Sequence, residues 1–245
     1  HYKRFDRFCP LSLSDFKFKM VLKFFLLIAL ACCVSVITAS SSSQCFTVNT
    51  NDHYCTPFLS HRADLKSSGT MQVSINISQE AAEYVIPLSD QTANCMSSWN
   101  KLYGSSRCFG SLHHENSDRF AWRRAQSCLK YDGNNVTVLP DCPDANKIEI
   151  AAYAYNQGEK PYQHIGTLLK QFKTLVTTGT LYQYELVVAD TETTYNLKDA
   201  DGNLLETVVV AHSKCFWPDF GYTLGWYFGG VCPAPSPVSA CYYYQ

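Results

Sequence analysis

The sequence predicts an α+β protein, in which a C-terminal antiparallel sheet wraps on one helix and follows a small, mostly helical, disulfide-rich domain. Three observations predict this class. Cysteines are concentrated before residue 143, a helix-forming segment follows them, and runs of aromatic and β-branched residues fill the C-terminal half. We therefore expect a cysteine-rich domain over residues 44–143, a sheet domain over 144–231 and a Pro/Ser/Tyr tail over 232–245.

The N-terminal region has the composition of a targeting segment. Residues 1–19 contain no Met and show no periodicity, so we interpret them as sequence upstream of the true start. Residues 20–43 combine Met20, a basic residue, an apolar run from 24 to 34 and small residues, which is typical of a cleaved signal peptide. An uncleaved signal anchor is the alternative. The cleaved form predicts a secreted protein with no stable membrane span.

Composition excludes several functional classes. The chain of 245 residues is 46% hydrophobic and 17% charged, which excludes long disorder. From residue 41 onward it carries 14 Lys and Arg against 19 Asp and Glu, a net charge of −5, so a nucleic-acid partner is not expected. No Cys-x2-Cys pair and no zinc-like His spacing is present, so we expect no metal and no cofactor. Asn76 and Asn135 open N-x-S/T triplets and are candidate glycosylation sites.

The cysteines predict disulfides. Three near the end leave one unpaired: Cys215 with Cys232 would close a short loop, and Cys241 would be free, would link two chains into a dimer, or would pair back to the first domain. Six lie in the first half, an even number that allows three bridges in 15 pairings: Cys45, Cys55, Cys95, Cys108, Cys128 and Cys142.

The first domain reads as one strand followed by helices. Residues 71–77 alternate apolar and polar side chains, which indicates a half-buried strand, and Ser78 begins a short helix with acidic residues in its first turn. Cys95, Trp99 and Leu102 share one face of a second helix, and residues 120–128 suggest a third. This order resembles the Frizzled-type cysteine-rich domain, with fewer cysteines than that family has.

The second domain begins with its helix. Asp144 is placed to cap a helix running through residues 151–155, which Gly158 and Pro161 end. Strands are then expected over 168–176, 181–188, 204–211 and 222–228. They are separated by a tight hairpin at 177–179, a turn at 199–203 and a loop at 215–219.

This helix-then-meander order resembles the cystatin superfamily. The resemblance implies inhibition of papain-type cysteine proteases by an apolar wedge of two hairpin tips, and a disulfide between Cys215 and Cys232. Of the Gln-x-Val-x-Gly motif only Gly179 matches, and Trp217-Pro218 reverses the family's Pro-Trp. The wedge residues implied are Leu175, Val176, Thr177, Thr178 and Gly179 at the first hairpin, and Trp217 and Pro218 at the second.

The sequence lacks the common motifs that would indicate an enzyme rather than an inhibitor. The sequence contains no G-x-S-x-G elbow, no P-loop, no H-E-x-x-H and no papain-type run around a cysteine, so an enzyme is not expected. The partner is then a papain-type protease or another extracellular protein. The alternative function is a non-catalytic extracellular binding or structural protein, which uses the cysteine-rich domain and a degenerate cystatin-like scaffold.

Overall fold

The computed structural model describes most of the chain that follows the predicted signal peptide. These residues belong to one compact unit, Ser41–Gln245. The segments interpreted as upstream sequence and signal peptide lie outside the described residues, apart from 42 and 43, and so do Trp217 and Pro218. The described ranges are 42–56, 69–87, 89, 92–108, 116–156, 167–215, 222–229 and 232–244.

The larger of two main sheets has seven antiparallel strands. Its centre is built from strands that are distant in sequence, because Gly69–Ile77 (β3) pairs with Leu181–Val188 (β11) on one side and with Val238–Tyr244 (β15) on the other. In spatial order the strands are β13 (Leu204–Ala211), β12 (Glu192–Lys198), β11 (Leu181–Val188), β3 (Gly69–Ile77), β15 (Val238–Tyr244), β1 (Ser42–Val48) and β2 (Cys55–Thr56).

The smaller main sheet has six antiparallel strands. Asn116–Arg124 (β5) lies at its centre between Asn100–Ser106 (β4) and Lys147–Asn156 (β8), and two shorter strands pair with different stretches of β8. A separate hairpin joins β6 (Leu129–Asp132) to β7 (Asn135–Val138). The six strands are β4 (Asn100–Ser106), β5 (Asn116–Arg124), β8 (Lys147–Asn156), β9 (Thr167–Gln171), β10 (Val176–Thr177) and β14 (Thr223–Leu224).

Helix is a minor component of the described chain. Helix α1 spans Glu80–Glu83, helix α2 spans Thr92–Ser97, and a single 3-10 turn covers Gln126–Cys128. None of the described helices is long and apolar enough to cross a membrane.

The two main sheets pack face to face through aromatic side chains. The ring of Phe120 on β5 lies 5.1 Å from the ring of Tyr184 on β11 and 5.3 Å from that of Tyr195 on β12. Trp122 stacks on Trp226 with 4.7 Å between ring centroids. Aromatic pairs of this kind stabilise a core beyond the area that they bury. The molecule is therefore a β-sandwich with one continuous core.

Four disulfides tie the sandwich together. They join Cys45 to Cys241, Cys95 to Cys232, Cys108 to Cys215 and Cys128 to Cys142. The predicted Cys215–Cys232 pairing is wrong, because each of these residues pairs with a cysteine of the first half. Of the three fates considered for Cys241, the structure shows pairing back to the first half, so Cys241 is not available to link two chains. Cys55 is buried and lies outside these four bridges.

The α+β prediction is wrong, and with it the resemblances to cystatins and to Frizzled-type domains. The segment expected to form the cystatin-like helix is strand β8, and the segments expected to be helical around Leu102 and Trp122 are strands β4 and β5. Strands from before and after residue 143 hydrogen-bond within the same sheets, as β5 does with β8. No described helix is covered by a wrapped sheet.

Candidate functional site

The outer face of the smaller sheet carries an unusual set of charged and aromatic side chains. Successive residues of a strand point to opposite faces, and Phe120 and Trp122 of β5 point into the core. Arg119, Ala121 and Arg123 therefore project from the other face. On the neighbouring strand β8, their pairing partners are Tyr153, Ala151 and Glu149.

Lys101 of β4 joins this face because it pairs with Ala121. Its side chain is almost fully buried, with 6% of the residue exposed. The ammonium nitrogen donates a hydrogen bond to the backbone oxygen of Trp99 at 2.9 Å and lies 3.7 Å from the centre of the Tyr153 ring. A cation over an aromatic face is held by the negative electrostatic potential of the ring.

Arg119 lies on the next strand, diagonally across from Lys101, and is equally buried at 6% exposure. Its Nε donates to the Ser117 hydroxyl at 3.1 Å, and its guanidinium carbon lies 5.6 Å from the centre of the Tyr155 ring. Two cations therefore share one face of the sheet with a tyrosine ring beside each. We call Lys101, Arg119, Tyr153, Tyr155 and Tyr227 the basic-aromatic face.

Tyr227 extends this face beyond the edge of β4. Its backbone exchanges hydrogen bonds of 2.9 and 3.0 Å with that of Lys101, so both side chains leave the sheet on the same side. The Tyr227 ring contacts the rings of His53 and Tyr54, and Tyr54 is 58% exposed. Aromatic rings therefore continue outward from the buried cations to solvent.

Burial and, to a smaller extent, the nearby charge of Arg119 together lower the pKa of Lys101 to about 7. Burial likewise lowers the pKa of Arg119, although the guanidinium stays protonated. Lys101 can therefore gain or lose its proton near neutral pH, which an exposed lysine does not do.

Only one carboxylate of the smaller sheet's strands shares this face. Glu149 forms an ion pair of 2.8 Å with Arg123 and accepts a hydrogen bond of 2.9 Å from the backbone of Gln126. The other carboxylate on these strands, Asp118, points into the core and pairs with Arg107 at 2.5 Å. Among the described residues, no carboxylate lies within ion-pair distance of the Lys101 ammonium group.

A second polar cluster surrounds Asp118 inside the sandwich. Tyr195 donates a hydrogen bond to Asp118 at 3.2 Å, and His212 lies with its Nε2 4.0 Å from the same carboxylate. The Thr193 hydroxyl contacts the same nitrogen at 3.1 Å. In a catalytic triad the acid and the nucleophile contact opposite nitrogens of the histidine, so this arrangement does not activate Thr193. We interpret the cluster as structural.

The described wedge residues, those of the first hairpin, do not form an exposed apolar tip. Val176 is 1% exposed and pairs with Ile148, and Thr178 is also buried. Leu175 and Thr177 are half-buried, and Gly179 turns the chain with a φ of +75°. Trp217 and Pro218 lie outside the described residues, so the second half of the wedge has no described position.

The residues of the basic-aromatic face were missed in the sequence. Their signal is the period-two alternation of Asp118, Arg119, Phe120, Ala121, Trp122 and Arg123, which predicts a strand with one charged face. The close spacing of aromatic residues was interpreted as a helix instead. No sequence pattern indicates that Lys101 and Arg119 meet, because their contact depends on the register between β4 and β5.

Comparison with known proteins finds similarity of structure but no similarity of sequence to a known family or curated protein. No family model matches the sequence, and no curated protein is significantly similar to it. The chain is similar to the alginate lyase of Klebsiella pneumoniae, with a TM-score of 0.45 and 11% identity over 72% of this chain and 57% of that one. It is also similar to a family 16 endo-glucanase of Bacteroides ovatus, with a TM-score of 0.40 and 11% identity over 82% of this chain and 79% of that one. The laminarinase of Flavobacterium sp. UMI-01 has a TM-score of 0.39 and 10% identity over 83% of this chain and 79% of that one. At this level of similarity they assign no role to any residue here.

Three functional predictions need correction. The protease-inhibitor prediction is wrong, because it depended on a sheet wrapped on a helix and the described chain is a β-sandwich instead. The alternative of a helical cysteine-rich domain with a degenerate cystatin scaffold loses its basis for the same reason. The prediction that the chain is not an enzyme followed from missing catalytic motifs; these exclude only the enzyme classes that use them, so the prediction does not stand.

Proposed function

We propose that this chain is an extracellular protein that binds a polysaccharide on the basic-aromatic face. The observation that carries the proposal is the grouping of three half-buried tyrosines around two buried cations on one face of a rigid sheet. The C–H face of a sugar ring packs well against an aromatic ring. Tyrosine adds a hydroxyl that can hydrogen-bond to sugar hydroxyls.

Several features of the molecule fit an extracellular location. The described chain contains four disulfides, three of which join distant parts of it, and this is typical of proteins that fold in an oxidising compartment. The signal-peptide prediction for residues 20–43 and the two glycosylation triplets agree with this route. Asn135 is exposed at the start of β7, while Asn76 lies in the middle of the larger sheet, with its side-chain amide donating to Gly179.

Hydrolysis by a pair of carboxylates is less well supported than binding. That chemistry needs two carboxyl groups on either side of the scissile bond, roughly 5 to 9.5 Å apart. The strands of the smaller sheet place only Glu149 on this face, and Arg123 and the Gln126 backbone already bind it. We therefore propose binding as the function that the described residues support, with cleavage measured in the same experiment.

Tyrosine substitutions on the two outer faces of the sandwich test the proposal. Calorimetric titration of the disulfide-bonded chain against a panel of neutral and acidic polysaccharides should identify at least one that binds. Tyr155→Ala and Tyr227→Ala should each weaken that binding roughly three- to ten-fold, as expected for losing an aromatic contact of about 0.5–1.5 kcal/mol. Assay of new reducing ends in the same mixtures reports cleavage.

Tyr243→Ala is the matched control. Tyr243 is also half-buried, but it projects from the outer face of the larger sheet, because its neighbour Tyr242 points into the core. This variant should bind as tightly as the parent chain. Binding of no polysaccharide in the panel, or equal weakening by all three substitutions, would show that the basic-aromatic face is not a sugar site.

A further inference from the structure

One long edge of the larger sheet is open in the described part of the chain. Strand β13 pairs with β12 on one side, and the described residues place no strand on its other side. The opposite edge of this sheet is β2, which has only two residues. Proteins commonly protect edge strands by shortness, by Pro or Lys, or by bulges, because an open edge can pair with another chain. Strand β13 contains neither Pro nor Lys, and its register shift against β12 lies at its start, so residues 206–211 form a regular edge.

Val209 and every second residue on either side of it direct their backbone groups away from β12. The amide of His212, which follows the strand, donates to the Thr191 oxygen beside β12 at 2.8 Å, and such hydrogen-bonded residues alternate along an antiparallel strand. The Val209 carbonyl agrees with this alternation, because it accepts a hydrogen bond of 2.6 Å from the Lys170 side chain on β9. The edge of β13 therefore presents a row of backbone donors and acceptors, and Lys170 caps one of them.

Exposed apolar side chains flank this row of backbone groups. Half of the exposed large hydrophobic side chains of the described residues lie on β13 or on β9, the strand of the smaller sheet beside it: Leu168, Leu169, Leu204, Leu205 and Val209. Leu204 is 59% exposed and Val209 is 40% exposed. A cluster of exposed apolar residues on one side of a folded protein indicates an interaction surface. We call this surface, formed by β13 and β9, the sandwich edge.

The charge of the sandwich edge favours a second copy of the same chain as its partner. Glu206 is the only charged residue of β13, and its carboxylate already accepts hydrogen bonds of 2.8 to 3.0 Å from the backbone amides of Lys173 and Thr174. Like charges placed opposite each other on paired strands are destabilising, and β13 has no free charge of this kind. Because the chain from residue 41 onward has a net charge of −5, two copies meet with least repulsion at such a neutral strip.

We infer that two copies of this chain form a dimer in which their β13 strands pair antiparallel across a two-fold axis and join the two larger sheets. An antiparallel copy supplies the donors and acceptors that the strand itself lacks, because the contact is the same from both sides. Strand β13 is about 27 Å long and the two sheets lie about 10 Å apart, so the contact buries on the order of 300–400 Å² of each copy. A contact of this size gives a weak, reversible dimer. The basic-aromatic face lies on the outer face of the smaller sheet, so this inference is independent of the proposed polysaccharide site.

Sedimentation equilibrium of the disulfide-bonded chain, from about 1 μM to about 1 mM, tests the dimer. The average mass should rise from that of one chain toward that of two chains and stop there, because a two-fold contact closes on itself. The mass of one chain at every concentration would overturn the inference, and it is the result expected if the sandwich edge binds a strand of a different protein. Growth beyond two chains would also overturn it, because it indicates open-ended pairing of edges.

Three variants separate pairing of β13 from general apolar contact. Val209→Lys places like charges on the two paired strands and should raise the dissociation constant of the dimer at least about ten-fold. Leu139→Lys is the matched control, because Leu139 is 38% exposed and lies outside β13 and β9, and it should change the constant less than about two-fold. Lys170→Met uncaps the Val209 carbonyl and should tighten the dimer roughly three-fold. Equal effects of the two new lysines, or a looser dimer of Lys170→Met, would contradict the inference, and thermal melting confirms that each variant is folded.

Discussion

Single residues of this sandwich owe their properties to which face of a strand they occupy. Arg119 and Asp118 are neighbours in sequence, but one enters the basic-aromatic face and the other enters the core. Sequence reasoning identified neither, because charge alone does not say which face of an unrecognised strand is buried. Once the strand is known, the alternation of side chains places the two residues on opposite faces of it, as the structure does. The contact between Lys101 and Arg119 still requires the register of β4 against β5, which no local pattern contains.

His212 allows a prediction at this scale. Burial and the nearby charge of Arg107 lower its pKa, although Asp118 acts in the opposite direction. The folded chain therefore binds a proton at His212 less readily than the unfolded chain does. The stability that this contributes is present above the ordinary histidine pKa of about 6.5 and is lost as the pH falls below it.

His212→Gln should reduce the dependence of stability on pH in this range. The amide can keep a hydrogen bond to Thr193 but does not titrate. Urea unfolding at about pH 7.5 and about pH 5 measures the free energy of unfolding, and the fall between them should be smaller in the variant than in the parent chain. An equal fall in both proteins would contradict the lowered pKa.

Whole elements were predictable where side chains alone determine them. The runs 181–188 and 204–211 were predicted as strands and form β11 and β13 over the same residues, because β-branched and aromatic side chains dominate them. Strand β8 was missed because alanines favour helices. Its apolar positions Ile148, Ile150, Ala152 and Ala154 alternate with period two and all face the core. The small alanines fit there beside the large rings of β5, so packing overrides propensity.

Gly104 gives a prediction about the pairing of β4 with β5. A Cβ atom at this position would lie 2.0 Å from the backbone oxygen of Asp118 and 2.6 Å from the Cα of Arg119. Both are backbone atoms of the paired strand, so they cannot move aside without shifting the pairing. Gly104→Ala should destabilise the fold by about 2–3 kcal/mol and weaken polysaccharide binding, because it displaces Arg119.

Ser105→Ala on the same strand is the control for this prediction. Ser105 is also buried, and its hydroxyl donates only a local hydrogen bond of 2.9 Å to the backbone of Ser106. Its removal should cost about 1 kcal/mol or less. Thermal melting compares the two variants, and similar melting temperatures would mean that β4 and β5 are not as close as described.

At the scale of the whole molecule, the sandwich depends on contacts between the two ends of the chain. Strand β15 lies between β3 and β1, so the C-terminal residues expected to form a Pro/Ser/Tyr tail complete the centre of the larger sheet. No local sequence pattern predicts this pairing, because the two strands are at opposite ends of the chain and their contact is non-local. The disulfide between Cys45 and Cys241 joins β1 to β15 where they already pair.

This disulfide should stabilise the fold more than the bridge between Cys128 and Cys142. The latter closes a loop with a sequence separation of 14, while Cys45 and Cys241 are 196 residues apart. The bridge between Cys95 and Cys232 shortens the effective loop for Cys45–Cys241 to roughly 60 residues, which still predicts about 4 kcal/mol against about 3 kcal/mol for the shorter loop. Cys45 is exposed and Cys241 is half-buried, so replacing both with serine leaves no core cavity.

Urea unfolding of the two double variants measures this difference. Cys45→Ser with Cys241→Ser should lower the free energy of unfolding by about 1 kcal/mol more than Cys128→Ser with Cys142→Ser. The reason is that the longer loop restricts the unfolded chain more, while the native pairing of β1 with β15 is unchanged. If the short-loop variant were the less stable of the two, loop length would not decide the ranking, and the loss of core packing at the buried Cys128 would outweigh the effect of the longer loop.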